Sequence, residues 1–104
     1  MQEKKLQDLR ARTKAFAVRV IHLANSLPRT LVGRTLGDQV LRSGTAVGAH
    51  YREACRSRSD AELVSKFETA LQELDETAYW LELLIDAEVI KAERLAALQR
   101  KPMS

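Results

Sequence analysis

The chain has 104 residues, 45% hydrophobic and 30% charged, with a formal net charge of +3 at pH 7. That length fits a single domain over residues 1–104 with a thin core, and one cysteine excludes an intramolecular disulfide framework. No apolar run approaches the ~20 residues of a membrane span, and the start MQEKKLQDLR lacks a signal-peptide core, so a soluble cytoplasmic protein is expected.

The first helix carries Leu6, Leu9, Thr13, Phe16, Val20, Leu23 and Leu27 at alternating spacings of three and four. That pattern is one stripe on a helix, close to a coiled-coil seam. Ala17, Ile21 and Ala24 widen it, which predicts burial on two sides in the second half. Pro28 disfavours helical geometry at Leu27 and ends the helix there.

A second helix is predicted from between Thr30 and Thr35 to about Cys55, with its stripe at Leu36, Val40, Ser43/Gly44, Val47, Tyr51 and Ala54. Four glycines interrupt it, each costing ~1 kcal/mol relative to alanine in a helix interior. Gly33 and Gly37 share a face, as do Gly44 and Gly48; with Ala46 and Ala49 they offer a smooth surface to another backbone. That surface suits tight packing within the bundle or a subunit interface.

After the loop CRSRS, Ser59-Asp60-Ala61-Glu62 has capping-box spacing, and a third helix is predicted to about Ala87. Its expected main stripe is Leu63, Phe67, Ala70, Leu74, Ala78 or Thr77, Leu81 and Ile85, flanked by Leu71, Trp80 and Leu84. A turn near 87–90 leads to a short fourth helix from Lys91 to about Arg100, with Leu95 and Leu98 inward. Short connections make neighbours antiparallel, so the expected fold is all-α, an up-down-up-down four-helix bundle with a short fourth helix.

The charge changes sign along the chain. Residues 1–58 hold twelve Lys/Arg against four Asp/Glu; residues 59–104 hold five against ten. One face should be electropositive and another electronegative, which points to a polyanion partner or to head-to-tail self-association. Arg52, Arg56 and Arg58, with Lys14 and Arg19 from the first helix, are the candidate phosphate contacts. No aromatic platform accompanies them, so nucleic-acid binding should be backbone-directed and weakly sequence-specific.

Catalytic chemistry finds little purchase. His22 and His50 sit on different helices, and with one cysteine they do not make a zinc ligand set, so no metal and no cofactor is expected. Glu73 and Glu76 are followed by Tyr79 rather than the histidine of a di-iron Glu-x-x-His motif. They are expected to form structural ion pairs with Arg42, Arg52 or Lys66. Ser43 and His50 stand two turns apart, ~10 Å, too far for a nucleophile and its base. Cys55, among Arg52, Arg56 and Arg58, reads as a structural helix-end cysteine.

The segment LRSGTAVGAHYREACRSRSDAELVSKFETALQELDETAYWLELL holds a distinctive set of residues. These are Arg42-Ser43, Glu53-Ala54, the Ser59 helix start, Lys66-Phe67, Glu73-x-x-Glu76-Thr77 and Tyr79-Trp80-Leu81. It resembles the four-helix-bundle family of the bacterial 23S rRNA intervening-sequence protein. The resemblance implies a ring-like homopentamer, encoded within large-subunit rRNA gene insertions or standing alone. A related branch serves diversity-generating retroelements, binding reverse transcriptase and nucleic acid. No enzymatic activity is implied. The chain departs from the family in its shorter fourth helix and its modest net charge.

The sequence therefore favours a non-catalytic oligomer, expected to be a pentamer, that associates with nucleic acid, RNA foremost. The alternative is a protein-interaction scaffold, such as a reverse-transcriptase partner. No membrane partner is expected.

Overall fold

The computed structural model describes residues 3–91 of the chain. It contains three helices, α1 (Glu3–Ser26), α2 (Leu31–Cys55) and α3 (Asp60–Asp86), and no strand among the described residues. The fold is all-α. The expected fourth helix, Lys91 to Arg100 with Leu95 and Leu98, lies outside the described residues apart from Lys91. No helix among those described is long and apolar enough to cross a membrane.

α2 is the central helix. It packs along its length against both α1 and α3, while α1 and α3 approach one another far less. The pairings are antiparallel: Gly44 meets Val20 and Gly48 meets Thr13 on one side, while Ser43 meets Thr77 on the other.

The main apolar cluster gathers Val20 and Leu23 of α1, Leu27 just after it, Val40 of α2, and Leu84 and Ile90. Phe16, Leu36, Trp80, Leu81, Ile85 and Val89 pack around it. Tyr51 anchors the other end. It is buried, its ring lies 5.7 Å from Phe67, and its hydroxyl donates to the Leu6 carbonyl at 2.8 Å.

Local chemistry sets each helix end. Thr30 caps α2, its hydroxyl accepting from the Gly33 N–H at 3.0 Å, and Ser59 caps α3 by accepting from Glu62 N–H at 3.1 Å. The Glu62 carboxylate reaches back to Arg58 N–H at 3.4 Å, one residue before the partner of a standard capping box. α3 ends in a Schellman turn, with Val89 N–H on the Leu84 carbonyl at 2.9 Å and Glu88 N–H on that of Ile85 at 3.0 Å. Glu88 occupies the left-handed position of that turn at φ 58°.

Three expectations are corrected. Ile21 is 39% exposed, so α1 is not buried on that side. Ala49 is exposed and Ala46 half-buried, and neither belongs to the glycine face. In α3 the buried line is Ala70, as expected, then Thr77 rather than its alternative Ala78, and Leu84 of the expected flank rather than Ile85. Leu71 and Leu74 turn outward. The cause is Thr77, whose hydroxyl meets Ser43 and fixes the helix rotation, so apolarity alone does not set the phase.

The four glycines all face α1 and its turn. A Cβ on Gly33 would collide with the Pro28 carbonyl, and one on Gly44 would lie 2.8 Å from both Val20 methyls. One on Gly37 would meet only the Leu27 Cδ1 end, at 3.2 Å. Gly44→Ala is therefore expected to lower stability by about 1–3 kcal/mol through overpacking. Gly37→Ala should be neutral or stabilising by up to about 1 kcal/mol. Urea unfolding of both variants checks the contrast, and equal effects would contradict it. In the same assay Glu88→Gly should raise stability by about 1 kcal/mol, because glycine adopts positive φ without the Cβ clash.

Candidate nucleic-acid interface and the polar seam beside it

A polar seam joins α2 to α3. At its centre Thr77 Oγ1 donates to Ser43 Oγ at 2.8 Å, and Ser43 Oγ donates to the Gln39 carbonyl at 2.8 Å. Both side chains are fully buried, so this is a satisfied polar contact inside the core. Around it, Arg42 bridges Glu73 at 3.3 Å and Glu76 at 2.9 Å. Lys66 pairs with Glu53 at 3.4 Å.

His50 lies between two carboxylates, with Nδ1 3.0 Å from Glu53 and Nε2 3.7 Å from Glu73. The sequence reading paired neither acid with this histidine. The signal was available in the i, i+3 spacing of His50 and Glu53; the Glu73 contact needs the tertiary register.

The hydrogen bond from His50, reinforced by the Lys66 charge, holds the Glu53 carboxyl below its ordinary value. Burial, then the hydrogen bond with Cys55, pushes the Tyr51 phenol up to about 12. The seam residues Arg42, Ser43, Glu53, Lys66, Glu73 and Glu76 thus lie together across one helix pair. Their charges close largely on one another, which is a fastening rather than a reactive centre. No group of three or more His, Cys, Asp or Glu side chains suited to a metal occurs among the described residues.

The candidate phosphate contacts do not form one patch. Arg56 and Arg58 are exposed at the α2–α3 loop and, with Lys66, line an open depression of about 390 Å³ that also includes Glu53 and Glu62. Lys66 was read from sequence as a structural residue and is an additional base at this surface. Lys14 follows Thr13, the Gly48 contact, so it lies about one turn from the level of Arg52. Arg19 precedes Val20, the Gly44 contact. It is therefore ~18 Å along the bundle from Arg56. It is also half-buried and already engaged in a contact of its own.

A three-helix antiparallel core with a polar seam and a divided charge defines a small all-α bundle protein. The chain matches the 23S rRNA-intervening sequence protein family over residues 6–102 and belongs to that family. It is similar to the crystal structure of a protein with unknown function from the S23 ribosomal protein family of Bacteroides thetaiotaomicron. That similarity has 38% identity and a TM-score of 0.82, covering 90% of this chain and 84% of the other. No curated protein matches the chain.

Glu53 gives the seam a testable pH dependence. Its folded-state pKa is lowered, so its contribution is present above the ordinary value of 4.5 and is lost as pH falls through the folded value. Urea unfolding across acidic pH should show a steeper loss of stability in the native protein than in Glu53→Gln. Superimposable profiles would contradict the assignment.

Proposed function

We propose that the protein is a non-catalytic, oligomeric helical bundle that associates with nucleic acid, RNA foremost, through its phosphate backbone. The observation that carries this reading is the grouping of Arg56, Arg58 and Lys66 around one open depression at the α2–α3 loop. Arg56 and Arg58 at a solvent-facing loop, with Lys66 of α3 beside them in its pair with Glu53, suit phosphate oxygens, which need charge and hydrogen-bond donors rather than a shaped pocket. Glu53 and Glu62 at the same rim temper the attraction, so the affinity is modest and strongly salt-dependent. Membership of a family named for sequences within 23S rRNA supports RNA over DNA. In this reading the segment after Lys91 supplies the fourth helix of the bundle, and the ring is the family-like pentamer.

A second reading, a scaffold for a protein such as a reverse transcriptase, has its own support. Leu71 and Leu74 of α3 are 60% and 41% exposed, more apolar surface than backbone binding of RNA requires.

Fluorescence anisotropy with a labelled RNA hairpin, titrated at increasing KCl, tests the first reading. Affinity should fall log-linearly with salt. Arg56→Gln with Arg58→Gln should reduce that slope by about 1.5, at about 0.7–0.9 per phosphate contact. The loss should be similar for hairpins of unrelated sequence. Affinity and slope unchanged in the double variant would overturn it.

A further inference from the structure

α3 carries a second seam beside the buried one. Val64, Leu71, Leu74 and Ala78 follow spacings of seven, three and four, as in a coiled coil, yet all four are exposed, Val64 at 54%. Glu68, Asp75 and Glu82 recur every seven residues along its solvent edge. None of the three forms an ion pair among the described residues, and no base lies along that edge. This differs from the other side of α3, where Arg42 pairs with Glu73 and Glu76 and His50 lies against Glu73.

The outer face of α1 has the opposite character. Arg10, Lys14, Val18 and Ile21 stand at i, i+4, i+8 and i+11, hence on one face. Val18 and Ile21 are 42% and 39% exposed, and neither Arg10 nor Lys14 is in an ion pair among the described residues. Leu41 of α2 extends this apolar strip beside a shallow groove that it lines with Ala24 and Gly37.

We propose that the acidic-edged seam of α3 docks on the basic α1 face of a second copy of this chain. Charge selects both the occupant and the mode. Two α3 seams face to face would oppose six unpaired carboxylates, and two α1 faces would oppose their bases. Only the heterologous pairing covers apolar surface while matching the charges. Such a contact leaves one free face of each kind at every step, so it closes into a ring when the rotation allows. The inference rests on the oligomer proposed above and adds the surfaces that build it.

Light scattering without nucleic acid, on the full chain and two surface variants, tests this. One variant, Leu71→Lys with Asp75→Lys, spoils the α3 seam; the other, Lys14→Glu with Val18→Glu, spoils the α1 face. The native chain should have a mass several times 11.7 kDa. Each variant should be a monomer with unchanged helical circular dichroism. Their equimolar mixture should reassociate to a dimer or larger, because it holds one intact face of each kind and its two altered faces carry opposite charges. A monomeric native chain would overturn both the oligomer and the pairing. An oligomeric native chain whose variants keep the native mass, or whose monomeric variants fail to pair on mixing, would overturn the pairing alone. Should either double variant lose its helical signal, Asp75→Lys and Lys14→Glu alone carry the same mixing test.

Discussion

One helix must satisfy two neighbours with different surfaces, and the described fold depends on how α2 does so. Towards α1 it presents glycines, so that Val20 seats directly on Gly44 and Thr13 on Gly48. Towards α3 it presents Ser43, whose hydroxyl replaces an apolar knob with a directed contact to Thr77. Four helical glycines cost about 3–4 kcal/mol in propensity relative to alanine. Close approach offsets that cost through dispersion contacts, which weaken steeply with an ångström of separation. The bundle therefore tolerates poor intrinsic helix propensity in α2 because its neighbours hold it.

The two interfaces differ in how strongly they fix register. The glycine face is smooth, and apolar contact by itself is non-directional. The α3 interface is directional: a slide by one residue would break the Ser43–Thr77 contact, at about 0.5–1.5 kcal/mol, while each hydroxyl keeps a carbonyl of its own helix, Gln39 and Glu73. The surrounding ion pairs of Arg42, His50 and Lys66 are substantially exposed, and each adds little by itself. Their role is to repeat the same register at the surface. Arg42 also offsets part of the like-charge repulsion on α3, which carries eight acids against the single Lys66.

How much of this was legible follows from the same physics. The all-α class, Thr30 near the start of α2, the Ser59 cap and the ends of all three described helices follow from spacing, capping and Pro28, which act within a few residues. The inward stripe of α1 was also readable, apart from Ile21. The rotation of α3 was not, because the helix bears two apolar lines of similar strength and the buried one contains a threonine. A hydropathy stripe favours Leu74 over Thr77; the structure reverses this because Ser43 stands opposite. The ion-pair partners meet the same limit. Sequence offers Arg42, Arg52 and Lys66 alike to Glu73 and Glu76; the tertiary register selects Arg42, sends Lys66 to Glu53 and adds the contact of His50 with Glu73.

The division of charge then acquires structure. The bases of the first 58 residues fall into separate groups with separate geometric opportunities. Arg42 is held at the α3 seam and is not available to a polyanion. Arg10 and Lys14 accompany exposed valine and isoleucine, a mixture suited to a protein surface, since phosphates gain nothing from apolar neighbours. Arg56 and Arg58 stand at a polar loop beside Lys66, Arg58 also bordering a depression with half-buried Leu6, Leu63 and Phe67, and both guanidinium groups reach solvent where a phosphate oxygen can compete with water. A uniform net charge of +3 would make all of these groups equivalent. Their side-chain company separates them, so copy–copy contact and backbone contact can occupy different faces of the same small bundle.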